Sequence, residues 1–281
     1  MCGIFGFSGK KLNSSKIKIL ALYNESRGGH ATGIYSDKLG VIKDTVPANE
    51  FISYYNQDFK ANNMFFGHTR FKTHGTNIVE NAHPFIYDNI IGIHNGVISN
   101  YEEIAQIYNQ PVQVDSQSIF LAIAHNQDNE REILPEIIGA MAIAYTKNDG
   151  LLYLYRRDNP IYIGFTKDGV YFSSLEESLF AIECQKVRVL EEHYIYIFNN
   201  GVLIKQISVK QPKYGADSNW EDYLIDKDYE YTEDAFYDLW ELGVPDHEME
   251  KVSLMPLKEQ ERYLAQRGYL DRCFSYKQFE H

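Results

Sequence analysis

The sequence predicts an α+β fold or a layered sandwich rather than a regular alternation of strands and crossover helices. Three observations carry this. After Gly139 the chain reads strand upon strand, over residues 140–146, 151–155, 161–165 and 170–173. The helical patterns fall in blocks instead of between successive strands. Finally, Asn199-Asn200-Gly201 joins β-like runs at 193–198 and 202–207 as a hairpin turn.

The elements follow in order. Residues 2–7 read as a short buried strand closed by Ser8-Gly9. Asn13 or Ser14 caps a helix running to about residue 26, with Ile17, Leu20, Ala21 and Asn24 on one face. Two β-like runs lie at 32–35 and 41–46, and Pro47 opens a helix through residue 55. Residues 64–71 form a strand that ends in a polar loop over 72–81, and 90–94 form one that runs into Asn95-Gly96. Asn100 is placed to cap a helix over 101–108, and Asp115 one over 116–125. A helix at 175–182 interrupts the later strands.

Composition bounds the function. The chain has 281 residues and 44% hydrophobic content, enough for a sizeable core in one large domain or two smaller ones. No apolar run reaches the length of a membrane span, and Lys10, Lys11, Lys16 and Lys18 interrupt any signal-peptide core. Three cysteines, Cys2, Cys184 and Cys273, are too few and too scattered for a disulfide framework, which favours a reducing cytoplasm. No Cys or His pair has zinc-like spacing. The formal net charge of −12 sits almost wholly between Tyr214 and Glu250, where 13 acids meet one Lys. Such a segment repels a phosphate backbone, which argues against nucleic-acid binding through it. The β pattern stops near residue 209, which sets a domain expectation of 1–208 followed by an acidic, aromatic, mostly helical extension over 209–281. That extension holds Trp220 and Trp240, and helices are expected over 233–242 and from Pro256 to Gly268. So many aromatic residues are wrong for a disordered acidic tail.

Cys2 is the residue that points to chemistry. If Met1 is removed, one residue carries both a thiol and a free α-amine. A thiolate is the effective nucleophile, and an ordinary thiol near pKa ~8.5 is mostly protonated at neutral pH. The α-amine, titrating near ~7.7–8.0, is a built-in base.

Five further segments stand in order behind it: Arg27-Gly28-Gly29-His30-Ala31-Thr32-Gly33; Gly67-His68-Thr69-Arg70-Phe71-Lys72-Thr73-His74-Gly75; Asn81-Ala82-His83-Pro84-Phe85; His94-Asn95-Gly96 with Asn100-Tyr101-Glu102; and Asp115-Ser116-Gln117. With Cys2-Gly3-Ile4-Phe5-Gly6, they make residues 2–208 resemble the glutaminase domain of the type 2 glutamine amidotransferases. These are N-terminal-nucleophile (Ntn) hydrolases, and the glutaminase half of glucosamine-6-phosphate synthase is the most similar in style.

The resemblance implies a four-layer αββα sandwich and hydrolysis of L-glutamine to glutamate and ammonia, with no cofactor and no metal. By the same resemblance, Cys2 attacks the side-chain amide, while the Asn95 amide and the Gly96 N–H form an oxyanion hole. Arg70 holds the α-carboxylate through its guanidinium fork. Asp115 pairs with the α-ammonium group, and Thr73 and His74 line the carboxylate end. Arg27 and Gly28 belong to a loop beside the nucleophile, whereas His83 and His94 orient loops. The sequence departs from the family at His30, where Asp is usual, at Phe71 in place of Trp, and at Gln117 in place of Glu. No acceptor-site motif is present, so the resemblance implies a glutaminase subunit feeding ammonia to a synthase partner, or else a stand-alone hydrolase. An inactive glutamine sensor is disfavoured, because Cys2, Arg70, Asn95, Gly96 and Asp115 occur together.

Overall fold

A computed structural model describes residues 2–72, 76–147 and 149–211, together with Tyr263 and Arg267. The chain divides into two compact units, Met1–Asp217 and Ser218–His281. In the second, the Arg267 N–H donates to the Tyr263 carbonyl at 3.2 Å, a helical i to i−4 bond. The acidic segment, both tryptophans, Thr73, His74 and the helix expected over 233–242 lie outside the described residues.

The first unit runs β1 (Gly3–Gly9), α1 (Ser14–Glu25), β2 (Ala31–Ser36), β3 (Gly40–Asp44), α2 (Ala48–Tyr54), β4 (Met64–Arg70), β5 (Phe85–Tyr87), β6 (Ile90–Ile98) and α3 (Tyr101–Ile107). It continues through α4 (Asp115–His125), α5 (Glu130–Ile133), β7 (Gly139–Thr146), β8 (Leu152–Arg157), β9 (Tyr162–Thr166) and β10 (Gly169–Ser173). It closes with α6 (Glu176–Ala181), β11 (Gln185–Val189), β12 (Tyr194–Asn199) and β13 (Val202–Ser208). The strands form two antiparallel sheets, ordered β11-β9-β10-β1-β4-β2-β3 and β13-β12-β8-β7-β6-β5.

Three apolar clusters make the layers. Phe5, Phe7 and Phe65 of the first sheet pack on Ile17 and Leu20 of α1, Phe51 of α2 and Leu179 of α6. Met141, Ile143 and Tyr145 of the second sheet pack on Ile119, Phe120 and Ile123 of α4. Between the sheets lie Ile4, Phe66 and Phe172 from one side, and Ile93, Ala142 and Leu154 from the other. The result is the αββα sandwich. Because both faces of β1 are covered, every one of its positions is buried, and apart from Ser8 its residues are apolar or glycine instead of alternating with polar ones. Large and small residues complement one another across the central strands: Phe5 pairs with Gly67 of β4, where an added Cβ would lie 2.4 Å from the Phe5 ring.

Local signals account for much of this. The Asn13 side chain accepts from the backbone of Ser15 and Lys16, and the buried face of α1 is Ile17, Leu20, Ala21 and Asn24. Three expectations need correction. The strand expected to stop at residue 94 continues through Asn95-Gly96 to Ile98, paired throughout with β7. Asn100 stands at the N-cap position of α3 but makes no capping hydrogen bond; its side chain instead donates to the Glu136 carbonyl and accepts from the Ile138 N–H, both at 2.9 Å. Asp115 is the first residue of α4 rather than its cap, which is Val114. The Gln117 side chain reaches back to accept from the Val114 N–H at 3.1 Å. The short β5, α5 and β11 carry no sequence signal strong enough to announce them. Among the described residues, no helix is long and apolar enough to cross a membrane.

Candidate active site

Cys2 stands immediately before β1. Because β1 pairs with β4 in the register Gly3↔Thr69, the cysteine lies beside the end of β4, at Arg70 and Phe71. The Phe71 N–H donates to Cys2 Sγ at 3.3 Å, and the thiol reaches the Phe71 carbonyl at 3.4 Å. Burial pushes the Cys2 thiol above its ordinary value; the Phe71 N–H, the chain's amino terminus and Arg70 pull it back, while Asp115 adds to the rise. A thiol so placed needs a base to become a nucleophile.

The loop after α1 packs under this point. Arg27 Nε donates to the Cys2 carbonyl at 2.9 Å. Gly28 lies flat on the Arg70–Phe71 peptide, so closely that a Cβ there would meet its carbon and nitrogen at 2.4 Å. Two of the departures from the family pattern touch each other: the His30 and Phe71 rings are 5.1 Å apart, and His30 Nδ1 accepts from the Lys72 N–H at 2.9 Å.

Cys2, Arg70, Gly96 and Asp115 face one small cavity of about 20 Å3, walled also by Phe71, Asn81, His83, His94, Val114 and Ser116. Arg70 and Asp115 are each only 4% exposed. Asp115 Oδ2 accepts from the Ile98 N–H at 2.8 Å, so the end of β6 fixes the carboxylate. Arg70 Nη1 donates to the Thr76 carbonyl at 3.3 Å. A buried cation and a buried anion thus face one space.

In β6, His94 and Gly96 line the cavity and Asn95 does not, as the two-residue period of a strand requires. Asn95 Nδ2 is buried with no hydrogen-bond partner among the described residues, while the Asn95 carbonyl accepts from Asn159 Nδ2 at 3.1 Å. Gly96 has φ +150, and a Cβ on it would lie 2.0 Å from the Ala140 carbonyl oxygen. Three buried histidines surround the site. His68 Nε2 donates to the His94 carbonyl at 3.0 Å. His94 Nε2 lies 3.3 Å from the Ala140 carbonyl, which can only accept, and the Ser116 hydroxyl donates to His94 Nδ1 at 2.8 Å. Burial, aided by neighbouring positive groups, holds His68 and His83 well below the ordinary imidazole value; burial also lowers His94.

Of the residues singled out in the sequence, the structure therefore gathers Cys2, Arg70, Gly96 and Asp115 round one cavity, with Arg27 and Gly28 beneath it and Asn95 on the opposite strand face. Thr73 and His74 lie outside the described residues. Sequence reading assigned no part to Asn81, Ser116 or Asn159. The first two stand in quoted motifs, where a polar residue on a cavity wall looks like any loop or helix-start residue; Asn159 had no signal at all.

Comparison with known proteins agrees with this geometry. A family model for a glutamine amidotransferase domain matches residues 68–181. A glutamine–fructose-6-phosphate aminotransferase (isomerizing) from Pyrococcus horikoshii is 27% identical over 226 residues, 74% of this chain and 38% of that protein. One from Clostridium acetobutylicum is 29% identical over 192 residues, 62% of this chain and 31% of that protein. The chain thus spans well under half the length of these relatives. Among solved structures, the glutamine phosphoribosylpyrophosphate amidotransferase of B. subtilis matches with a TM-score of 0.64 at 19% identity, over 74% of this chain and 49% of that one. A glutamine aminotransferase class-II domain protein from Silicibacter pomeroyi matches with a TM-score of 0.51 at 12% identity, over 74% of this chain and all of that one. Residues 68–181 thus match a glutamine amidotransferase domain in sequence, and the two-sheet sandwich is similar in fold to these solved amidotransferases.

Proposed function

We propose that this domain hydrolyses the side-chain amide of L-glutamine through a γ-glutamyl thioester on Cys2 and releases ammonia for an acceptor enzyme. The observation that carries the reading is the cavity with the Cys2 sulfur at one side and two opposite buried charges, Arg70 and Asp115, on its walls. A free α-amino acid bears a carboxylate and an ammonium group on one carbon, and this pair of charges matches both. A glutamine within a protein has neither, and leaving such buried charges unpaired is costly.

The chemistry follows from the placement. With Met1 removed, the α-amine of Cys2 takes the thiol proton. The sulfur then attacks the amide carbon, and negative charge gathers on the carbonyl oxygen. Donation to that oxygen falls to the Gly96 N–H on the cavity wall, joined by Asn95 Nδ2, which has no hydrogen-bond partner among the described residues, once its side chain turns from the opposite strand face as glutamine enters. The carbon–nitrogen bond breaks as the ammonium returns its proton to the leaving nitrogen, and water hydrolyses the thioester to restore the thiol. The cavity as it stands holds about one water, so glutamine enters as its walls part.

The test is glutamate release by the full chain, with intact-mass analysis of its amino terminus. Cys2→Ala is expected to abolish release while leaving the melting temperature within a few degrees. Normal turnover in that variant, or full retention of Met1 in an active enzyme, would overturn the mechanism. Delivery to an acceptor predicts that a copurifying synthase raises glutamate release; a stand-alone hydrolase shows the same rate without one.

A further inference from the structure

The Gly96 N–H, which the proposed chemistry sets against the developing oxyanion, shares a peptide with the Asn95 carbonyl. A trans peptide is planar, so that carbonyl and that N–H point in opposite directions. Whatever holds the carbonyl therefore aims the N–H. Asn159 does so: its Nδ2 donates to the Asn95 carbonyl at 3.1 Å. The carbonyl can only accept, so the amide nitrogen must be the atom that faces it. Asn159 is half-buried and is not one of the residues that wall the cavity. It acts on the site from behind the strand. The preceding peptide is held in a similar way, with His68 Nε2 donating to the His94 carbonyl at 3.0 Å.

The segment that carries Asn159 is itself braced. Arg157 of β8 pairs with Met141 of β7, and Met141 with Gly96 of β6, so the loop after β8 begins in line with the site. Asp158 has φ +67, in the left-handed region, and the Asn159 N–H turns back to donate to the Arg157 carbonyl at 2.9 Å. Arg156 Nε donates to the Asn159 carbonyl at 2.9 Å. The same guanidinium meets Glu192 Oε1 at 2.6 Å, and the Asp158 N–H donates to that oxygen at 3.0 Å. Arg157 anchors the start of β7, donating to the Gly139 carbonyl at 3.0 Å and to the Ile137 carbonyl at 2.6 Å. With its own backbone pinned at both the N–H and the carbonyl, Asn159 fixes the Asn95 carbonyl instead of following it.

We propose that Asn159 is a positioning residue for the reaction: by holding the Asn95 carbonyl, it aims the Gly96 N–H at the side-chain amide oxygen of glutamine. This rests on the glutaminase reading above. A hydrogen bond to a peptide carbonyl also polarises the peptide, which strengthens the N–H at its other end as a donor. Both effects count most when the oxygen carries negative charge, so they favour the tetrahedral state over bound glutamine. Plain support of β6 by Asn159 would show no such preference; it would weaken binding, nucleophile and fold together.

Three measurements on the full chain separate the two: kcat for L-glutamine, the Ki of L-norvaline, and the rate at which iodoacetamide alkylates Cys2, read by peptide mass. Norvaline has the same carbon chain without the side-chain amide, and alkylation displaces iodide without forming an oxyanion. Asn159→Leu keeps the volume and removes the donor. Losing an oxyanion donor outright costs about 10²–10³ in rate, so loosening its aim is expected to lower kcat roughly 10- to 30-fold. The norvaline Ki and the alkylation rate stay within about twofold, as expected of steps that the donor does not serve. Asn159→Gln keeps an amide donor and recovers part of kcat. Asn159→Asp, whose carboxylate only accepts, loses at least as much as the Leu variant and replaces it as the probe if that variant fails to fold by its melting curve. A folded Leu or Asp variant with unchanged kcat, or with norvaline binding and alkylation falling in step with kcat, overturns the assignment and leaves the glutaminase reading intact. Absence of glutamate release from the unsubstituted chain overturns that reading, and this one with it.

Discussion

A methyl group placed on Gly28 would sit 2.4 Å from the Arg70 carbonyl carbon and 2.4 Å from the Phe71 nitrogen. Those atoms are backbone and have no flexible end to swing away. The same peptide carries the N–H that meets Cys2 Sγ and the residue proposed to hold the substrate carboxylate. Gly28→Ala therefore pushes nucleophile and clamp out of register together. A misplacement of about 1 Å costs on the order of 10²-fold in rate, so kcat/KM for glutamine is expected to fall by about that much, with a smaller loss of melting temperature. A variant with unchanged kinetics would show that this peptide has room to shift. Arg27, next along, acts on the same residue through the Cys2 carbonyl. Short-range motifs exposed these two positions in the sequence, because a glycine and an arginine in a recognisable string are visible without any structure. Their reason for being there was not visible: it lies in Cys2, 25 positions from Arg27, and in the Arg70–Phe71 peptide, more than forty from Gly28.

Strand β6 and helix α4 show where local rules yield. Asn-Gly is a strong turn dipeptide, yet in β6 the pairing with β7 continues unbroken from Ile91↔Thr146 to Ile98↔Gly139. A ladder paired on this scale outweighs the preference of two residues. Gly96 does keep a conformation suited to glycine, φ +150, and presses against Ala140. Gly96→Ala is expected to destabilise by about 1–3 kcal/mol, or roughly 2–4 °C of melting temperature per kcal/mol. It should also depress kcat more than KM, since the N–H proposed for the oxyanion moves with the strand. Thermal melts and steady-state kinetics of the one variant check both parts. In α4, Asp115 looked like a cap because Asp favours that position. The end of β6 claims its carboxylate instead, through the Ile98 N–H, and Gln117 serves the start of the helix. Which partner a side chain chooses depends on what the opposite layer offers, and sequence windows do not contain that.

The whole sandwich imposes an acid limit of its own. His68, His83 and His94 are buried, and burial holds each below the ordinary imidazole value, the first two well below it. In the unfolded chain these rings take protons near pH ~6.5. Between that value and their lower folded values, the unfolded chain binds more protons. Stability therefore rises with pH in this window and is lost as pH falls through it, by up to about 1.4 kcal/mol per pH unit for each ring. The melting temperature is expected to drop steadily from pH 7 to pH 5, and His83→Phe should flatten part of that slope. A melting temperature independent of pH over this range would mean that the rings are not held neutral.

The order of the longer strands and helices, the buried face of α1 and the strings around Cys2, Arg70, Asn95 and Asp115 were readable along the chain, because periodicity, caps and motif order are properties of neighbouring residues. Closure of the site was not readable. Placing Cys2 against Phe71 depends on β1 pairing with β4. Bringing Asp115 to face Arg70 depends on two sheets stacking over a shared apolar layer. Holding the His83 ring against His68 depends on Lys43 of β3 and Gly33 of β2 fixing its loop. Contacts of that kind join residues far apart in the chain, and they form only once burial of both sheets has brought those segments together.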